Sequence, residues 1–174
     1  MRTTKKLTLS SVMVALGAVI MALGAMVEVL DLSVCVLASL IMVFIYLEIG
    51  SPYTWLTWLA TSLITFLIFP GKTIWLNYFL IFGIYPLLKA YIEKLPKAVW
   101  IIVKLAYANA VVWAMFFLME LIFGVPLFEK DALWLKAVLY VIINVAFLAY
   151  DLFITMAVRV YFGKIRQKIS TMLK

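Results

Sequence analysis

Residues 7–27 read LTLSSVMVALGAVIMALGAMV, 21 positions without a charge, preceded by Lys5-Lys6 and followed by Glu28. A helix rising about 1.5 Å per residue carries such a run across about 30 Å, the thickness of a bilayer's hydrocarbon core. The rest of the chain has the same character. Of its 174 residues, 68% are apolar or aromatic and 13% are charged, with a mean hydropathy of +1.17. Globular chains average about 45–50% apolar and about 25% charged. A water-soluble domain of this length leaves much of its surface in water and cannot hide that many apolar side chains. The composition therefore excludes a soluble enzyme, a nucleic-acid module and a disordered tail.

Working outward from this stretch, five further segments have the length of a span. Residues 32–49 stop at Gly50-Ser51-Pro52, and 53–69 at Pro70-Gly71-Lys72. Residues 73–91 are the least uniform and precede Glu93, Lys94 and Pro96. Residues 98–123 are followed by Gly124 and Pro126, and 132–162 begin after Glu129-Lys130-Asp131. The expectation is an all-α membrane protein of six transmembrane helices, forming one integral-membrane domain over 1–174. The opening also has the form of a cleavable signal, with Ala22-Leu23-Gly24 as its cleavage site. Its apolar run is longer than a signal core, so it is read as the first span.

The formal charge is +7, from 15 Lys and Arg against 8 Asp and Glu. In a lipid-embedded chain such an excess orients helices, because basic residues collect in cytoplasmic loops. No nucleic-acid partner is expected. With the N-terminus inside, twelve basic residues, Lys89, Lys94, Lys97 and Lys104 among them, fall on the inner side. Only Lys72, Lys130 and Lys136 fall outside, so the expected localisation is a multi-pass cell-membrane protein with both termini cytoplasmic.

Catalytic chemistry finds few candidates. There is no His, and Cys35 is the lone cysteine, which removes the usual zinc, haem and copper sites and every Ser-His or Cys-His arrangement. No GxxxxGK[ST] loop or HExxH is present. A membrane enzyme built on Glu48, Glu120 or Asp151 would lack both a metal site and a partner motif. No catalytic residue, metal or cofactor is expected.

The polar exceptions within the spans carry the functional reading. Ser11, Ala15, Ala18, Ala22 and Ala25 recur at helical spacing and make one smooth face on the first helix, with Gly17 and Gly24 nearby. Small faces let helices approach closely in lipid, either inside one chain or against a partner. Thr54, Thr57, Thr61 and Thr65 form a hydroxyl stripe on the third helix, beside Ser62. Asp151 lies eight residues before Arg159, about 12 Å into the span, and Lys104 six residues past Ala98, about 9 Å in. Similar depth predicts that Lys104 and Asp151 pair; the alternative is a Lys104 that snorkels and an Asp151 facing a watery crevice. On the opposite halves of the last three helices lie Trp75, Asn77, Asn109, Trp113, Glu120, Trp134, Tyr140 and Asn144. Singly these fit an aromatic belt and interhelical hydrogen bonds. Together they fit a pocket with flat walls and a few directed polar groups.

A basic six-helix chain of this size, opening Lys5-Lys6-Leu7-Thr8 and continuing Ala18-Val19-Ile20-Met21-Ala22, resembles the S components of energy-coupling factor (ECF) transporters. The resemblance spans the architecture of the whole chain, but in sequence only the first helix. It implies a membrane-embedded binder of a vitamin or similar micronutrient. It also implies docking through Ala18 and Ala22 onto a transmembrane coupling protein, with two cytoplasmic ATPases supplying energy. The ligand would sit in the outer half among helices four to six. The short connection Glu28 to Asp31 departs from the longer lid loop of several S components. The alternative expectation is a non-transporting scaffold of the MreD type, which recruits partners through the first helix and needs no ligand.

Overall fold

A computed structural model describes residues 3–124 and 133–166. Every element among them is helical, as the composition implies. In chain order these are α1 (Thr3–Met26), a 3-10 turn (Glu28–Leu30), α2 (Asp31–Glu48), α3 (Ser51–Ile68) and α4 (Ile74–Asn77). A π turn (Tyr78–Phe82) leads into α5 (Tyr85–Ile92), followed by α6 (Lys97–Phe123), α7 (Leu133–Val160) and a second π turn (Tyr161–Ile165). The Glu129-Lys130-Asp131 boundary lies outside the described residues.

Among the described residues, five stretches are long and apolar enough to cross a membrane: Thr3–Met26, Asp31–Glu48, Ile74–Ile92, Val99–Phe123 and Ala137–Lys164. The third expected span, α3, which carries the hydroxyl stripe, has a suitable length of 18 residues but is not apolar enough to join that group. Those hydroxyls face inward: Thr54, Thr57, Thr61, Ser62 and Thr65 are all buried. Most answer to their own helix. The hydroxyls of Thr54, Thr57, Ser62 and Thr65 donate to the carbonyls four residues earlier, at 2.8–3.0 Å. A buried hydroxyl without a partner is costly, and this back-bonding satisfies each one locally.

The described residues fall into two compact units, 3–88 with 153–166, and 89–124 with 133–152. In the first, α1 packs against α2 and α3. Its inward side is Ser10, Gly17, Met21, Gly24 and Ala25. A Cβ at Gly24 would lie 2.7 Å from Ile74 Cδ1 and 2.9 Å from Val34 Cγ1, so only glycine admits these neighbours. Ile41, Ile45 and Ile49 of the α2 region make an apolar core with Leu9, Met13 and Ile20 of α1. The α2–α3 turn is closed by Gly50, whose φ of +109° suits a residue without a side chain, and Pro52 stands in the first turn of α3.

The expected fourth span is not one uniform helix. At the first π turn the Gly83 N–H reaches back to the Tyr78 carbonyl at 2.7 Å, one residue further than in an α-helix. The Phe79 carbonyl thereby loses its α-helical donor, and the Trp58 indole N–H of α3 takes its place at 3.1 Å. The Trp58 ring also stacks on Phe79, with centroids 4.8 Å apart. The turn needs Gly83, since a Cβ there would lie 2.6 Å from Trp58 Cδ1 and 2.8 Å from Tyr78 Cε1.

The second unit contains the end of α5, all of α6 and most of α7. Tyr107 of α6 and Phe147 of α7 meet at 6.1 Å between ring centroids. Polar groups also join these helices.

Candidate functional site

The expected pair forms: Lys104 Nζ of α6 lies 2.9 Å from Asp151 Oδ2 of α7. The pair belongs to a larger group. Lys89 of α5 bonds the other oxygen of Asp151, and its ammonium also donates to the Asp151 backbone carbonyl at 3.1 Å. Glu93, one helical turn beyond Lys89, closes the circuit. Its Oε1 accepts from Lys89 at 3.0 Å and from Lys104 at 3.1 Å. Cations and anions therefore alternate around a four-membered ring whose formal charge is zero. The lysines are only 4% and 6% exposed, whereas the Glu93 side chain is 35% exposed. The Lys104 ammonium also lies 5.7 Å from the Trp100 ring centroid.

This arrangement corrects one expectation. Lys89 is not a loop residue that merely orients the chain; it is a buried member of the ring. The placement follows from helical geometry: Lys89 sits one turn inside the end of α5, where i,i+4 spacing brings it to Glu93. Charged groups in an apolar interior are tolerated when each is paired and hydrogen-bonded, and here every member has two partners of opposite sign.

The eight residues expected to line a pocket divide between the units. Trp75 and Asn77 stand on α4 in the first. The Trp75 ring meets Phe66 edge-on, with centroids 4.8 Å apart, and its buried Nε1 has no hydrogen-bond partner among the described residues. The other six stand on α6 and α7 in the second unit. Asn144 Nδ2 donates to Asn109 Oδ1 at 3.3 Å and to the Tyr140 carbonyl at 2.9 Å. Asn109 Nδ2 donates to the Leu105 carbonyl at 2.8 Å. The two amides thus join α6 to α7. Trp113, Glu120, Trp134 and Tyr140 are exposed.

On α1, Ser11 and Ala15 are exposed, while Ala18 and Ala22 are half-buried. Exposed Val12, Leu16, Val19 and Leu23 lie on the adjoining face, about a quarter-turn around the helix. The glycine side makes the close internal contacts, and the alanine side is only partly covered.

A further polar contact escaped the sequence reading. The Tyr161 hydroxyl donates to Glu48 Oε1 at 2.7 Å, and Arg166 Nε lies 3.9 Å from the same oxygen. This ties the end of α2 to the second π turn, and the Arg166 guanidinium stands 5.0 Å from the Phe162 ring centroid. Glu48, considered as a catalytic carboxylate, is engaged as an acceptor. Among the described residues, no three His, Cys, Asp or Glu side chains group as a metal site.

No family model, curated protein or solved structure matches the chain.

Proposed function

We propose that this chain is a membrane-embedded subunit of the ECF S type. It captures a small vitamin-like or aromatic solute from outside and docks through α1 onto a transmembrane coupling protein that works with cytoplasmic ATPases. The observation that carries this reading is the division of α1. Its close internal contacts use Gly17 and Gly24, which leaves Ala15, Ala18 and Ala22 available to a partner helix. Small residues allow the intimate helix contact that drives association in lipid, where no hydrophobic effect operates between helices. In this proposal the solute-binding residues of the second unit are Asn109, Trp113, Glu120, Trp134, Tyr140 and Asn144.

The proposed topology places both termini in the cytoplasm, with α3 as a sixth crossing. The buried Lys89 and Lys104 are removed from the loop charge. Ten basic residues then remain on the cytoplasmic side against three outside, and the asymmetry persists.

A scaffold of the MreD type is the second reading. The mutual bond of Asn109 and Asn144 favours it, since these amides already have partners without a ligand. Native mass spectrometry after gentle extraction tests both. A bound small molecule lost in Trp113→Ala, together with a bound partner lost in Ala18→Leu, supports the transport subunit. A chain that purifies without a small molecule, tolerates Trp113→Ala and loses a protein partner in Ala18→Leu is a scaffold.

A further inference from the structure

The ring is built asymmetrically. Asp151 holds both lysines from deep within the unit, with its side chain 12% exposed. Glu93 holds them from the accessible edge, with its side chain 35% exposed, and it does so through one atom, Oε1, at 3.0 and 3.1 Å. An ammonium has three hydrogens. For Lys89 they are directed at Asp151 Oδ1, the Asp151 carbonyl and Glu93 Oε1. Removing Glu93 frees at least one N–H on each of two buried ammonium groups, and the freed donors point to a single position. It also leaves two cations facing one carboxylate, a net charge of +1. Two convergent charged donors in a low-dielectric setting favour one oxygen of a small anion over water.

We propose that Lys89 and Lys104 form an oxyanion site, which Glu93 occupies as an internal ligand and which a carboxylate or phosphate group from outside the chain can take over. The lysines are positioned by α5 and α6 and anchored by Asp151. Glu93 lies just beyond α5 and leaves by side-chain rotation, without unfolding a helix. An incoming oxyanion restores the alternation of charge and fills the position of Oε1. The site is independent of the α1 face and of the aromatic and amide residues, so its failure leaves the proposed transport role standing.

The test is chemical rescue of Glu93→Ala in nanodiscs, read by thermal unfolding and by the part of the tryptophan fluorescence that Trp100→Phe removes, since the Trp100 indole adjoins Lys104. In zwitterionic phosphatidylcholine without added oxyanion, the variant unfolds at a lower temperature than the parent. Formate or inorganic phosphate recovers most of the lost Tm and returns the fluorescence toward that of the parent. The same additions do nothing in Glu93→Ala with Lys104→Met. Rescue by phosphatidylglycerol without soluble anion identifies a lipid headgroup as a source; rescue by formate or phosphate alone identifies a free solute. Absence of rescue by all of them overturns the proposal. Where Glu93→Ala does not accumulate, it is expressed and extracted in the presence of formate, and failure of formate to yield folded protein counts equally against the site.

Discussion

The Lys104 ammonium and the Asp151 carboxylate meet at 2.9 Å although 47 residues separate them in the chain. Their similar distance along two helices locates this contact, and two further charges complete it. Breaking a buried pair leaves an uncompensated charge and costs about 3–5 kcal/mol. Lys104→Met and Asp151→Asn should each lower the unfolding temperature strongly in nanodiscs. The exchange of Lys104→Asp with Asp151→Lys should recover only part, because Lys89 then faces a lysine at position 151. Full recovery in the exchange would show that Lys89 does not share the carboxylate.

The two faces of α1 should respond oppositely to bulk. Gly24→Leu forces a side chain into Ile74 and Val34. It should lower the yield and thermal stability of the isolated protein. Ala18→Leu should leave the isolated protein as stable as the parent and abolish co-purification of any partner. Equal destabilisation by both substitutions would remove the basis for a docking face.

Gly83→Ala should cost about 1–3 kcal/mol, the usual penalty for overfilling a packed site, because its methyl group would meet Trp58 and Tyr78. Trp58→Phe keeps the stacked ring and deletes the N–H, leaving the Phe79 carbonyl without its indole donor. A loss of about 1 kcal/mol is expected from one hydrogen bond. Thermal unfolding of both variants, with circular dichroism as the control for helix content, checks the two effects.

Tyr161→Phe removes the donor to Glu48 and should cost about 1.5–3 kcal/mol, the range for a hydrogen bond to a charged group. Limited proteolysis should then cut faster near the second π turn. Unchanged proteolysis and stability would show that this contact does not hold the turn in place.

Much of this was legible from physical regularities. Uncharged runs of bilayer length gave the helices, and helical rise gave the depth of Lys104 and Asp151. The Thr54 to Thr65 stripe, visible in the spacing, faces inward. Lys89 was missed because a lysine near a helix end looks like a topogenic loop charge. Its spacing of four from Glu93, with Pro96 still ahead, was the available signal that it lies a full turn inside. The first helix carries small residues on both sides. Periodicity alone does not say which side turns inward; the absence of a Cβ at Gly24, opposite Val34 and Ile74, decides it. The first π turn has no periodic signature at all. It depends on Gly83 meeting two aromatic rings contributed by different segments.

The closed ring also imposes an order on the making of the protein. Lys89 and Glu93 neutralise one another within a single helical turn, so this segment is balanced as soon as it forms. Lys104 follows on α6 well before its second carboxylate exists, for Asp151 is synthesised 47 residues later. Until then, Glu93 is the only anion in this group for two lysines. The last helix is therefore a counter-ion delivered late: its arrival discharges the group, and a chain that stops short of α7 leaves one of its cations uncompensated.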